Sequence, residues 1–250
     1  MKEIVLIFIV FSLVTAHVTR NLSREITFRR LNQPASFEDT RIVGGNEAVP
    51  NSLPYVAVLR MIFNGSSSSC GASLITTRYV LTVAHCLDDG MLSLEVILGK
   101  HKLLETEPTQ QTIPTTTYKI HEQFNNETLV NDIGVVYLPT PAKINRYVQL
   151  IALPSRADVS NSFAGSEAIA SGWGDDYDPT TDGKEVLRYV NVRIITNAVC
   201  NETFKDIIDS NICTAGTDKK GVCFGDSGGP LVVNKTLVNL YQFISLEKMR

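Results

Sequence analysis

A chain of 250 residues with 44% hydrophobic side chains is long enough to bury one large core or two smaller ones. Its formal net charge of −3 leaves no basic footprint and excludes a nucleic-acid partner on electrostatic grounds.

The chain opens on "MKEIVLIFIVFSLVTA" (1–16): Lys2, an apolar run from Ile4 to Val14, then small residues at Val14 and Ala16. The run is shorter than the roughly 20 residues a membrane span needs. It reads as a signal peptide cleaved after Ala16, which makes the protein secreted and extracellular, without a membrane anchor. Residues 17–41 are polar, rich in arginine and without apolar period, and read as an exposed lead segment. At "TRIVGGNEAVPNSLPYVAVL" the composition turns apolar and β-branched. Short strand-like runs follow in order: "YVAVL", "ASLI", "YVLTVA", "LEVILG", "IGVVYL", "AIASGWG", "LRYVNVRII" and "PLVVNKTLVNL". Gly, Pro, Asn and Asp separate them, and no long helical period appears, so the fold class is all-β, a sandwich or barrel. "NGSSSSCG" (64–71) reads as a small-residue loop.

In a secreted chain, cysteines pair. There are five, Cys70, Cys86, Cys200, Cys213 and Cys223, so one is left over. No CxxC occurs and no zinc-type spacing appears, so no metal and no cofactor is expected. Glycosylation sequons stand at Asn64, Asn126, Asn201 and Asn234.

Ser227 lies in "GDSGGP" (225–230). Glycines permit positive φ and close backbone approach, so a turn there can aim successive N–H groups at one point, as a developing oxyanion requires. A serine hydroxyl then needs a base. His85 ends the apolar run "YVLTVAHCL" beside Cys86, and a Cys70–Cys86 bridge would close a loop of about 16 residues, worth about 3 kcal/mol. His101 and His121, in "GKHKL" and "KIHEQF", read as surface residues. The base needs an anion to hold its tautomer. Asp132 in "NDIGVVYL" heads a buried strand, where a carboxylate is costly without a partner. Asp88, Asp89, Asp175, Asp176 and Asp178 lie in polar loops and read as solvated. The order His, Asp, Ser along the chain sets aside the α/β-hydrolases, whose order is Ser, Asp, His.

"RIVGG", "TVAHC", "NDIGVVYL", "SGWG" and "GDSGGP", in this order, resemble the chymotrypsin/trypsin-type secreted serine endopeptidases from Arg41 to about Val238. The resemblance implies two six-stranded antiparallel β-barrels with the site between them. It implies His85 as general base, Asp132 as its orienting carboxylate and Ser227 as nucleophile, with Gly225 and Ser227 N–H groups as the oxyanion hole. It implies a zymogen whose activation peptide, 17–41, is removed by a protease cutting after Arg41, so that the new Ile42 amine pairs with Asp226; residues 42–250 are then the protease domain. It pairs Cys70 with Cys86 and Cys200 with Cys213, leaving Cys223 unpaired.

Three departures qualify the resemblance. After Val238 the sequence leaves the family pattern: Gln242 stands where a serine usually contacts the triad aspartate, and no "SWG", sixth cysteine or closing helix follows. This predicts an incomplete second barrel and a substrate pocket open on one side. An inactive homologue or truncated isoform acting by binding, or a non-functional chain, is the alternative to an active enzyme. Gly221 occupies the pocket-base position that is acidic in relatives cutting after Lys or Arg, which predicts a chymotrypsin-like or broad preference. "LGKH" puts Lys100 where relatives place a calcium-binding carboxylate; Glu105 and Glu107 read as solvated. The partners implied are protein or peptide substrates, the activating protease and protein inhibitors of such enzymes.

Overall fold

The computed structural model describes residues 45–87, 90–174, 186–204, 207–216 and 225–240. The signal peptide, the activation segment, Arg41, Ile42, Gly221, Cys223 and the stretch from Tyr241 onward lie outside the described residues, as do Asp88, Asp89, Asp175, Asp176 and Asp178.

Two antiparallel sheets make up the fold. The first contains β2 (Val56–Ile62), β3 (Ser67–Thr76), β4 (Tyr79–Thr82), β5 (Ser93–Leu98), β6 (Gln111–Thr115), β7 (Tyr118–Ile120) and β8 (Gly134–Tyr137). Its strand order is β6-β5-β2-β3-β4-β8-β7. The two end strands, β6 and β7, are consecutive in the chain and separated only by Thr116 and Thr117. One bent run thus serves both edges, and the seven strands make six staves, as the resemblance implies. Alternation drives the inward face: Ala57, Leu59 and Met61 of β2, Leu74 of β3, Val80 of β4 and Leu94, Val96 and Leu98 of β5 form one buried cluster.

The second sheet runs β1 (Asn46–Glu47), β10 (Arg188–Ile195), β9 (Glu167–Gly172), β12 (Pro230–Val233) and β13 (Thr236–Leu240), with β11 (Cys213–Thr214) beside β10. Its own core is smaller: Ala168, Ala170, Val190, Val192, Ile194, Leu231 and Val233. The opposite faces of β12 and β13 send Val232, Leu237 and Leu240 into the first sheet's cluster. A third cluster of Ala48, Val56, Val58, Ile97, Trp173 and Leu187 joins the sheets. A short helix, α1 (Asn197–Thr203), is capped by Thr196, whose side chain accepts from Val199 N. The Cys200–Cys213 disulfide ties α1 to β11.

The structure corrects three expectations. "NGSSSSCG" is only half loop, because Ser67, Ser68 and Ser69 pair with Ile62, Met61 and Arg60 and extend β3. A long partner strand supplies ladder hydrogen bonds that small side chains do not signal. His101 and His121 are buried rather than exposed. His101 N donates to Glu107 Oε2 (2.6 Å), its carbonyl accepts from Trp173 Nε1 (2.9 Å) and Leu187 N (2.7 Å), and its Nε2 meets Glu47 Oε1 at 2.9 Å. These bonds draw the polar stretch inward. His121 N donates to Ile133 O (3.0 Å), which carries β7 alongside the segment holding Asp132. Glu107 is accordingly not merely solvated, since it also accepts from Lys102 N at 3.0 Å.

Candidate active site

Strand register brings His85 and Asp132 together. Thr82, the last residue of β4, pairs with Gly134, the first of β8, so the segments that hold His85 and Asp132 leave this pair side by side. His85 sits on the 3₁₀ turn Ala84–Leu87 that ends β4, fixed by the Cys70–Cys86 disulfide to β3. On the other side Asn131 takes φ 58°, a left-handed conformation Asn tolerates, and its Nδ2 donates to Gln123 O at 2.9 Å. That kink delivers the Asp132 side chain into the interior.

Both Asp132 oxygens are used. Oδ1 accepts from His85 N at 2.8 Å and Oδ2 meets His85 Nδ1 at 2.6 Å. The carboxylate is 0% exposed, whereas the imidazole is 27% exposed. A carboxylate oxygen facing Nδ1 favours the tautomer with its proton there, which leaves Nε2 as an acceptor. Backbone and side chain are held by one carboxylate, so the ring is oriented as well as polarised.

Ser227 stands in a turn closed by Gly229 N donating to Asp226 O at 2.8 Å. Gly228, third in that turn, has φ 79°, the mark of a type II turn and a conformation that favours glycine. The turn also directs a donor. The Asp226–Ser227 peptide is trans, so with its carbonyl facing Gly229 its N–H points the opposite way. The Ser227 N–H is thereby aimed outward from the turn rather than into it. Asp226 is wholly buried, and its Oδ1 accepts from Gly174 N at 2.8 Å.

What ties the Ser227 turn to the His85 side is backbone. Ser227 O accepts from Gly71 N at 2.7 Å, and Gly71 follows Cys70, whose sulfur is bonded to Cys86 next to His85. The sequence names His85, Asp132, Ser227 and Asp226 as candidates but not the residues that seat them. Gly174 is the last residue of the motif "SGWG" (171–174). Thr82 opens "TVAHC" and Gly71 closes "NGSSSSCG", but neither string shows the contact between them or with the Ser227 turn.

Lys100 is tied into its own loop. Lys100 is 6% exposed, and its Nζ donates to Glu105 O (2.6 Å) and Gln110 Oε1 (3.1 Å). Burial pushes its pKa below the usual lysine value. Among the described residues no group of three or more His, Cys, Asp or Glu side chains could hold a metal ion.

The sequence model of the Trypsin family matches residues 42–246. The chain is 40% identical over 215 residues to chymotrypsin of Phaedon cochleariae, covering 85% of this chain and 76% of that one. It is 41% identical over 202 residues to brachyurin of Leptuca pugilator, covering 81% and 86%. Among solved structures, that of GrC superposes with a TM-score of 0.73 at 32% identity, covering 81% of this chain and 88% of that one. A structure of HL collagenase superposes at 0.72, also 32% identical, covering 81% and 86%.

Proposed function

We propose, from the premise that this chain belongs to the Trypsin family of serine endopeptidases, that it hydrolyses peptide bonds with His85, Asp132 and Ser227 as its triad. The observation that carries this reading is the buried carboxylate of Asp132, both of whose oxygens are spent on His85.

The chemistry follows from these roles. His85 Nε2 takes the proton of Ser227 Oγ as that oxygen attacks the scissile carbonyl carbon. Asp132 stabilises the imidazolium that results. The carbonyl oxygen becomes an oxyanion held by the Gly225 and Ser227 N–H groups, the second of which the turn aims outward. His85 then gives its proton to the departing amine, leaving an acyl-Ser227. Water, deprotonated by the same Nε2, releases the acid and restores the serine.

Activation follows the same premise. Cutting after Arg41 frees the Ile42 amine, which pairs with the buried Asp226 and sets the loop that carries Gly225. The Trypsin match begins at residue 42, in keeping with such a cut. An α-amino group titrates near ~7.7–8.0 when unpaired, and pairing raises this. The folded value being raised, the pairing is complete below the unpaired value and is lost as pH rises through the raised one. An Arg41→Gln chain as active as the cut one would contradict this.

For specificity, Gly221 removes the acidic pocket base that a Lys or Arg side chain would need. The 40–41% identity to a chymotrypsin and a brachyurin, against 33–36% to the trypsins of Xenopus laevis and Salmo salar, supports a chymotrypsin-like or broad preference. The protein is read as secreted through its signal peptide, with glycans at Asn64, Asn126 and Asn234, which are exposed, and at Asn201, whose Oδ1 accepts from Ile207 N at 3.2 Å. The test is hydrolysis of a mixed peptide library by the secreted chain before and after cleavage at Arg41. Cleavage after large apolar residues, appearing only in the cut chain and absent from Ser227→Ala, is expected. Turnover that survives Ser227→Ala would end the reading.

A further inference from the structure

We propose that Thr82 is a positioning residue for the Ser227 turn, acting through the backbone of Gly71 across the seam between the two sheets. The inference rests on Ser227 being the nucleophile. Its basis is a gap in a ladder. Ser73 of β3 pairs with Leu81 of β4, and the next position of β3 facing the same edge is Gly71. There β4 has ended, so the N–H and C=O that Gly71 turns to this edge have no strand to meet, while on its other edge Gly71 pairs with Val58 of β2. Two groups replace the missing strand. Gly71 N donates to Ser227 O at 2.7 Å, and Gly71 O accepts from Thr82 Oγ1 at 2.8 Å. Thr82 is 0% exposed, so this hydroxyl has no water to turn to.

The next two residues of the turn, Gly228 and Gly229, also lie against Gly71 and Thr82. A Cβ on Gly228 would lie 2.3 Å from both Gly71 O and Thr82 Oγ1, and one on Gly71 would lie 2.6 Å from Gly229 N and Cα. The turn therefore rests directly on the Gly71–Thr82 hydrogen bond with no side chain between. Thr82 is three residues before His85 on the same run. One hydroxyl thus references the Ser227 backbone to the strand that carries the base. Misplacing reacting groups by about 1 Å can cost about 100-fold in rate, so a small tilt of this seam is enough to register in turnover.

The experiment uses the full chain cut after Arg41, with Thr82→Val, Thr82→Ala and Thr82→Ser. Each is read by burst kinetics on a p-nitrophenyl ester, so that rates are per reacting site and unfolded molecules do not count. Thr82→Val keeps the shape and removes the hydroxyl. It should lower the acylation rate constant by about 10- to 100-fold while Ks, read from the concentration dependence of the burst rate, stays within about twofold. Thr82→Ser should return to within about twofold of wild type. Thr82→Ala gives the same comparison if the valine variant does not fold. If Thr82→Val or Thr82→Ala acylates at the wild-type rate per site while wild type shows its burst, the inference is overturned and Ser227 keeps its role. If wild type hydrolyses the ester without an acyl group forming on Ser227, read by mass spectrometry of the quenched enzyme, the nucleophile assignment fails and this inference falls with it.

Discussion

Replacing Asp132 with Asn tests the geometry of the pair most sharply, because it changes charge and hydrogen-bond polarity while keeping shape. Asp132 accepts two hydrogen bonds, from His85 N at 2.8 Å and at His85 Nδ1 at 2.6 Å. An amide has only one oxygen. The backbone N–H of His85 can only donate, so it claims the amide oxygen. The NH₂ group then faces Nδ1, which must accept, and the ring proton moves to Nε2. That tautomer cannot take the proton of Ser227. All buried groups remain paired, so the fold should lose less than about 1 kcal/mol. Turnover should fall about 10⁴-fold, or about 5.5 kcal/mol in the barrier, as is typical of this exchange in Ser-His-Asp enzymes. The assay is kcat on a peptide ester beside a thermal melt of the same sample. A variant within tenfold of wild type, or one whose loss of rate tracks loss of folded protein, would refute the reasoning.

Other consequences can be checked separately. Tyr55 has its pKa pushed up to about 12 by burial, so its contribution is complete below the unfolded value of about 10 and is lost as pH rises towards 12. Tyr55→Phe should remove about 3 kcal/mol of alkaline destabilisation in that window, seen as a flatter pH dependence of urea unfolding. Opening the Cys70–Cys86 bridge, which spans 16 residues, with paired serines should cost about 3 kcal/mol of stability by chemical denaturation. It should lower activity even at temperatures where the protein stays folded, because the bridge also fixes His85. Gly228→Ala places a methyl 2.3 Å from Gly71 O at φ 79° and should abolish the ester burst; an unchanged burst would show that the turn is not as tight as described.

The strands and the pair His85–Asp132 were legible in sequence for a physical reason. Alternating β-branched runs end in "AHC" and begin at "ND", and one antiparallel pairing then joins them. Ser227 was legible because "GDSGGP" concentrates the glycines its turn requires. The burial of His101 was not, because Lys100 and Lys102 on either side look solvated. A lysine that satisfies backbone and amide acceptors, as Lys100 does, reads the same as one in water. The seam was hidden too, since Thr82 and Gly71 meet the Ser227 turn across two sheets and no local pattern records that contact.

The most direct test of the account is covalent. The chain cut after Arg41 is treated with a fluorophosphonate, and the adduct is mapped by peptide mass spectrometry. The account predicts a single adduct on Ser227 that disappears in His85→Ala. An adduct that persists without His85, or a folded, cut protein that takes up no label at Ser227, would contradict it.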